Sequence, residues 1–138
     1  MLSKLLRKIN SGNMFKPEMF DNLDEDFVLD SRDDFVFEND WLRVSNILEE
    51  KEINSEYNDL IHEIAKQSFI TVYNITESDE LASYISDDFE LISKAIILGY
   101  NDAGMNSLIL FYANQIFPYG KLELIEISVN EVVNNLIS

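Results

Sequence analysis

The only histidine of the chain lies in a pattern that partly matches a zinc-binding motif. In His62-Glu63-Ile64-Ala65-Lys66, Lys66 occupies the position where a metalloprotease helix carries its second histidine. A protonated lysine does not ligate zinc, and the chain has no further His and no Cys to complete a site. We therefore expect no metal here, and interpret His62 as a solvent-facing or capping residue.

Other catalytic motifs are incomplete as well. A Ser-His dyad would have to use His62, and Gly104-Met105-Asn106-Ser107-Leu108 lacks the second glycine of a nucleophile elbow. Four glycines in the whole chain are too few for a phosphate-binding loop or a dinucleotide fingerprint. We predict no enzymatic activity and no cofactor, and leave a carboxylate-based enzyme as a minor alternative.

Carboxylates are the one abundant group that could do chemistry. Neighbouring pairs such as Asp33-Asp34 and Asp87-Asp88 would point about 100° apart on a helix, so they do not form a catalytic pair by sequence proximity alone. A calcium loop starting at Asp24 would have Leu29 where an EF-hand requires glycine. The acids are therefore better explained as a solvated face or a binding surface.

The acidic residues are concentrated in one part of the chain. Of 138 residues, 26 are Asp or Glu and 10 are Lys or Arg, so the formal net charge is -16. Residues 1–17 carry four bases and no acid, whereas residues 18–40 carry ten acids and one base. This balance disfavours nucleic acid and anionic membranes as partners and favours a cationic protein.

Aromatic residues interleave with the acids of the dense segment, and two compatible interpretations are open. In the first, the aromatic side chains point into the core and the acids are solvated. In the second, the segment presents its acids to a basic cleft, with one or two aromatic residues as anchors. A second candidate surface lies around predicted helix junctions and includes Tyr84, Tyr100 and Asp102. The residues predicted to contact a partner are Asp24, Glu25, Asp26, Asp30, Asp33, Asp34, Glu38, Asp40, Trp41, Asp87 and Asp88.

Helical periodicity dominates the rest of the sequence. Residues 2–9 form an amphipathic pattern that ends at Ser11-Gly12-Asn13, and further helices are predicted to begin near Asp40, Ser55, Ser78 and Ser86. Gly99 is predicted to close the helix that begins near Ser86. Asp102 is predicted to cap another, which runs through Ile116, and a terminal helix follows at 130–137.

Two segments suggest a minor β element. Residues 26–38 contain two short aromatic and β-branched runs that favour a hairpin, and residues 121–129 alternate like a strand. We therefore predict a mainly α fold, an antiparallel helical array with this small β element.

The length fits a single domain, 1–138. Without Cys, and with no long apolar segment, we expect a cytoplasmic protein.

A small, acidic, Cys-free, helix-rich chain of this kind resembles the immunity proteins of bacterial toxin systems, including contact-dependent growth inhibition. The stretch from Ile97 to Asn106, ILGYNDAGMN, adds to the resemblance. The resemblance implies that the protein binds a cationic toxin, such as a nuclease, and blocks it stoichiometrically. An acidic adaptor, or a nucleic-acid mimic that regulates a basic protein, remains the alternative, and the sequence leaves the oligomeric state open.

Overall fold

The computed structural model describes all residues from Met1 to Ser138 and contains seven α-helices and no β-strand. Short 3-10 turns lie at Pro17–Met19 and Ser55–Tyr57. The helices are α1 (Leu2–Asn10), α2 (Glu25–Arg32), α3 (Phe35–Glu49), α4 (Asn58–Thr76), α5 (Asp79–Leu98), α6 (Ala103–Ala113) and α7 (Val129–Ile137). None of them combines the length and apolar composition that a membrane span requires.

The α4–α5 hairpin is the centre of the packing and forms the most extensive helix pair. α1 packs against α4, α6 packs against α7, and α3 contacts both α5 and α6. Apolar residues of α5 recur at helical spacing, and Phe89 among them is completely buried. The Phe89 ring meets Phe15 and Tyr112 edge-to-face, with centroids 5.0 and 4.8 Å away. This aromatic cluster joins α5 and α6 to the loop after α1.

The predicted hairpin at 26–38 is wrong, because these residues form α2 and the start of α3. A strand would place Phe35 and Phe37 on the same face, but Phe35 is 75% exposed and Phe37 is 2% exposed. Asp24 begins α2 by accepting a hydrogen bond from the Phe27 amide, at 3.2 Å. Capping and packing thus override the β propensity of the aromatic and β-branched residues.

The predicted strand at 121–129 is also wrong. With residues 26–38 helical, the segment has no strand to pair with, and Leu124 is 74% exposed. Its backbone is instead held by α6: the Ile125 amide donates to the Ala103 carbonyl at 3.2 Å. The fold is therefore fully helical, with an irregular segment at 114–128 that connects α6 to α7.

Several helix boundaries also differ from the predicted ones. The helices expected near Ser78 and Ser86 are one continuous helix, α5, because Ser86 bonds to the Ala65 carbonyl instead of capping a new helix. Asp40 lies inside α3, which begins at Phe35. The helix predicted to reach Ile116 ends at Ala113, and Gln115 adopts a positive φ.

Other predicted boundaries are confirmed. α1 ends where Ser11-Gly12-Asn13 was expected to stop it. Asp102 caps α6 by accepting from the Met105 amide at 2.9 Å. Gly99 ends α5 at φ +59°, with the Tyr100 amide bonded to the Ala95 carbonyl and the Gly99 amide to the Ile96 carbonyl. This is a Schellman motif, in which the left-handed position favours glycine.

Gly99→Ala is expected to lower the free energy of unfolding by about 1 kcal/mol, because an L side chain is strained at positive φ. Nothing lies within 4 Å of a Cβ built at Gly99, so the cost comes from the backbone alone. α4 ends at Glu77 in the same left-handed conformation, φ 57°. Glu77→Gly is therefore expected to raise stability, by up to about 1 kcal/mol. Urea unfolding measures the change in the free energy of unfolding for both variants. Changes of the same sign would contradict the explanation from backbone conformation.

Candidate functional site

A groove opens where the end of α2, the first half of α3 and the middle of α5 meet. Its volume is about 180 Å³. Carboxylates of Asp33, Glu38 and Asp87 lie around it, and the remaining lining residues are Arg32, Phe37, Trp41, Leu42 and Tyr84. We call this feature the acidic groove. It combines aromatic walls with negative charge, which is the chemistry that binds an organic cation.

A buried ion pair lies at the base of the acidic groove. Arg32 donates to Asp88 through both terminal nitrogens, Nη1 to Oδ2 at 2.9 Å and Nη2 to Oδ1 at 2.7 Å. The Arg32 and Asp88 side chains are 3% and 0% exposed. The bidentate geometry joins α2 to α5 across 56 positions of sequence.

Two further donors complete the coordination of Asp88. Trp41 Nε1 donates to Asp88 Oδ1 at 2.9 Å, and the Tyr112 hydroxyl donates to the same carboxylate. Burial, together with the charge of Asp88, raises the pKa of Tyr112 well above its ordinary value, so it stays a donor. The carboxylate thus connects α2, α3, α5 and α6 and fixes the Trp41 wall of the acidic groove.

Aromatic rings surround the Arg32 guanidinium. Its central carbon lies 4.3 Å from the Phe37 ring centroid, 5.1 Å from that of Tyr84 and 5.3 Å from that of Phe117. Burial alone would lower the pKa of Arg32, but the charge and hydrogen bonds of Asp88 outweigh it and the pKa is raised. Arg32 therefore stays charged, and its charge is matched by Asp88.

Two side chains that line the acidic groove have raised pKa values. Burial raises the pKa of the Asp87 carboxyl, and the negative charges of Asp88 and Glu90 raise it further. Asp33 accepts a hydrogen bond from the Tyr84 hydroxyl, which raises the pKa of Tyr84 to about 12. The charge of Arg32 opposes the shift at Asp87, and a further cation near Asp87 would lower its pKa in the same way.

Comparison with known protein families gives one match that covers most of the chain. The sequence model described as immunity protein PIM1 matches residues 4–119. The chain belongs to this immunity protein family. The matched residues include most of α1, all of α2 to α6 and every residue that lines the acidic groove. A search of the curated proteins finds no match.

The family places a toxin among the partners of this immunity protein and points to an inhibitor rather than an enzyme. The structure shows which predicted contact residues such a partner could reach. Asp33, Glu38, Trp41 and Asp87 come together at the acidic groove. Asp88 is fully buried, because it coordinates Arg32, so it is not available to a partner.

The other predicted contact residues lie at or near the surface around α2 and α3. Asp26, Asp30 and Asp34 are exposed. Asp24 is also exposed and caps α2, while Glu25 accepts a hydrogen bond from the Ser78 hydroxyl. Together with the groove residues they give this side of the immunity protein its acidic character.

Asp40 has an internal partner and is only partly exposed. Arg43 bonds to Asp40 Oδ1 at 2.9 Å and to both oxygens of Asp102, at 2.9 and 3.0 Å. Burial would raise the pKa of Asp102, but the hydrogen bonds from Arg43 and the Met105 amide lower it overall. This cluster joins α3 to the start of α6, so Asp40 and Asp102 have a structural role.

Sequence reasoning missed Leu42 as a groove residue and gave Arg32 no structural role. Arg32 is the only base among ten acids in residues 18–40, a lone cation that could have been expected to have a dedicated partner. Leu42 gave no such signal, because an exposed leucine on an amphipathic helix is ordinary.

The stretch from Ile97 to Asn106 is a structural junction of this immunity protein. Asn101 Oδ1 accepts from the Val129 amide at 2.7 Å. Asn106 Nδ2 donates to the carbonyls of Ile125 and Ile127, both at 2.8 Å. A Cβ built at Gly104 would lie 2.6 Å from Asp40 Oδ2, so only glycine leaves room for the Asp40–Arg43 pair as it stands. These contacts hold α5, α6 and α7 together.

The four bases of residues 1–17 gather at a different place. Lys4, Arg7, Lys8 and Lys16 line one open depression beside the end of α7. Lys8 donates to the Leu136 carbonyl at 2.6 Å, and none of the four forms a salt bridge. These bases therefore form no ion pair with the acids of residues 18–40.

Proposed function

We propose that the protein neutralises a cationic toxin by binding it stoichiometrically through the side that carries the acidic groove. The observation that carries this proposal is the family match, joined to an acidic surface whose charge is not cancelled within the chain. Of the acids around the acidic groove, Glu38 and Asp87 accept no hydrogen bond and form no salt bridge, and Asp33 has only the Tyr84 hydroxyl.

The acidic surface would act first on the rate of association. Opposite fields steer two proteins together and raise association to about 10⁸–10⁹ M⁻¹s⁻¹ at low salt. A cell that makes a toxin needs its inhibitor bound before damage occurs, so rapid capture suits this role. The high net charge of the inhibitor is then a functional property rather than a requirement of its fold.

A nuclease is the toxin class that fits best. An enzyme that acts on nucleic acid needs a cationic surface to bind the phosphate backbone. An acidic inhibitor placed over that surface would block the substrate without any turnover of its own. We place this encounter in the cytoplasm, with residues 1–138 acting as one domain.

Co-expression with the product of the gene immediately upstream tests the proposal. We expect growth to be rescued from that product, and a one-to-one complex to co-purify. The association rate should fall steeply between about 0.05 and 0.5 M NaCl, because salt at the upper end shortens the Debye length to a few ångströms. A complex whose association rate is insensitive to salt would contradict electrostatic capture. Absence of both complex and rescue would remove the proposed function.

A further inference from the structure

The acidic groove has the size of a receptor for one side chain. Its volume of about 180 Å³ lies below the range of about 300–1,000 Å³ that is typical of small-molecule sites. Phe37, Trp41 and Tyr84 give it flat apolar walls, and the carboxylates lie at its rim. A long side chain with an apolar stem and a charged head would match both parts.

We propose that the acidic groove receives a single arginine or lysine side chain of the toxin, which anchors the complex. This inference rests on the proposed function and specifies its contact. The stem of the incoming side chain would lie against the aromatic walls, and its charged head would meet Asp33, Glu38 and Asp87.

The protein already stabilises one guanidinium in this way, that of Arg32, which is itself part of the lining of the acidic groove. Arg32 lies against the rings of Phe37 and Tyr84, at 4.3 and 5.1 Å, and pairs with a carboxylate. The same two rings line the acidic groove. Because Asp88 neutralises Arg32 with a bidentate contact, the base of the groove does not repel a second cation as a free arginine would.

The groove walls are fixed before a partner binds. Trp41 is held by its 2.9 Å hydrogen bond to Asp88, and Tyr84 by its hydrogen bond to Asp33. Fewer side chains then lose conformational freedom on binding, which favours affinity.

α3 carries exposed apolar residues on one side, and one of them, Leu42, lines the acidic groove. Phe35 and Leu42 lie two turns apart on the same side of the helix, and both are exposed. Apolar contacts around a charged anchor exclude water and strengthen the interaction at its centre. The combination distinguishes this surface from a merely acidic one.

The first test needs no toxin. Trp41 is the only tryptophan of the chain, so its fluorescence reports on the acidic groove. Titration with the peptide acetyl-Arg-Arg-Arg-amide is expected to shift or quench this emission in a saturable way. The matching peptide with citrulline, which keeps the shape of arginine without its charge, should have no effect. Equal responses to the two peptides, or no response to either, would overturn the inference.

The second test compares two triple variants with the same charge change. Asp33→Asn, Glu38→Gln and Asp87→Asn neutralise the groove rim. Asp24→Asn, Asp26→Asn and Asp30→Asn neutralise exposed acids of α2 and its N-cap, outside the groove. Asparagine at position 24 keeps the helix cap. The groove variant is expected to dissociate from the upstream gene product about tenfold faster or more. The control should change the association rate only.

A lysine introduced into the acidic groove by substitution gives a third test. Leu42→Lys would place a competing cation in the acidic groove and should accelerate dissociation. Asn46→Lys adds the same charge to an exposed position one turn away on α3, and should not.

The outcomes separate the two proposals. If the wild-type protein binds its toxin and the groove and control triple variants dissociate at the same rate, the groove inference is overturned while the proposed function stands. If the tri-arginine peptide binds at Trp41 but no toxin complex forms, the cation site exists and the toxin assignment fails.

Discussion

Replacing Asp88 by alanine is expected to lower the free energy of unfolding by about 3–5 kcal/mol, because it leaves a buried arginine without its counter-charge. Arg32 would keep a single further contact, from Nη1 to the Pro118 carbonyl at 3.4 Å, inside a ring of aromatic side chains. Trp41 Nε1 and the Tyr112 hydroxyl would lose their acceptor at the same time. Urea unfolding at neutral pH, followed by far-UV circular dichroism, measures the loss.

The neighbouring position supplies the control for this prediction. Asp87 lies at the surface, but partial desolvation of its carboxyl and adjacent negative charge raise its pKa, so its ionised form is disfavoured in the folded state. A raised carboxyl pKa favours the folded state at low pH, and this advantage is lost as the pH rises through the folded-state pKa. Asp87→Asn should therefore leave stability at neutral pH unchanged or slightly higher. Equal losses for Asp87→Asn and Asp88→Ala would contradict the assignment of the buried network.

A double variant separates the charge from the hydrogen bonds. Arg32→Met with Asp88→Leu removes both ions and restores apolar volume, which can be neutral for an isolated buried pair. Here Trp41 and Tyr112 would still lack an acceptor, at a cost of about 1–3 kcal/mol for each buried group. We therefore expect the double variant to be more stable than Asp88→Ala but less stable than the wild type.

Asn106→Ala is expected to lower the free energy of unfolding by about 2 kcal/mol, since it removes both donors to the irregular segment at 114–128. Asn106 is 1% exposed, and its amide nitrogen bonds to the Ile125 and Ile127 carbonyls at 2.8 Å. The loss should be accompanied by faster limited proteolysis within 114–128. Unchanged protection of that segment would mean that other contacts hold it.

Asn106→Asp provides a sharper version of the same test. Aspartate has nearly the shape of asparagine, but its ionised form has no donor and would face two carbonyl oxygens. It should therefore be more destabilising than alanine at neutral pH. Protonation restores one donor, so the deficit relative to the wild type should shrink at acidic pH. A deficit independent of pH would contradict the donor role of Asn106.

The helices that were predictable are those with a strong local signal. In α1 the apolar residues recur at helical spacing with basic residues between them. Gly99 ends α5 in a left-handed conformation, and Asp102 caps α6. Each of these signals depends on interactions within one turn of the chain, where sequence distance and spatial distance agree.

The hairpin prediction failed where the local signal was ambiguous. Aromatic and β-branched residues in short runs suit a strand and also a buried helix face, and spacing alone separates the two poorly over five residues. In the structure Val28, Leu29 and Arg32 share the inner face of α2, while Phe27 is exposed. The buried partner of Arg32, 56 positions away, helps to decide this orientation.

The sequence by itself determined the net charge, the concentration of acids in residues 18–40, the lack of a catalytic motif and the resemblance to immunity proteins, because these are sums or local patterns. Only the tertiary structure decided which acids face a partner. Asp87 and Asp88 are chemically identical neighbours, yet a helix turns about 100° per residue, so one lies at the groove rim and the other beneath it. The acidic groove exists because Arg32, Trp41 and Tyr112, from three different helices or their ends, converge on Asp88.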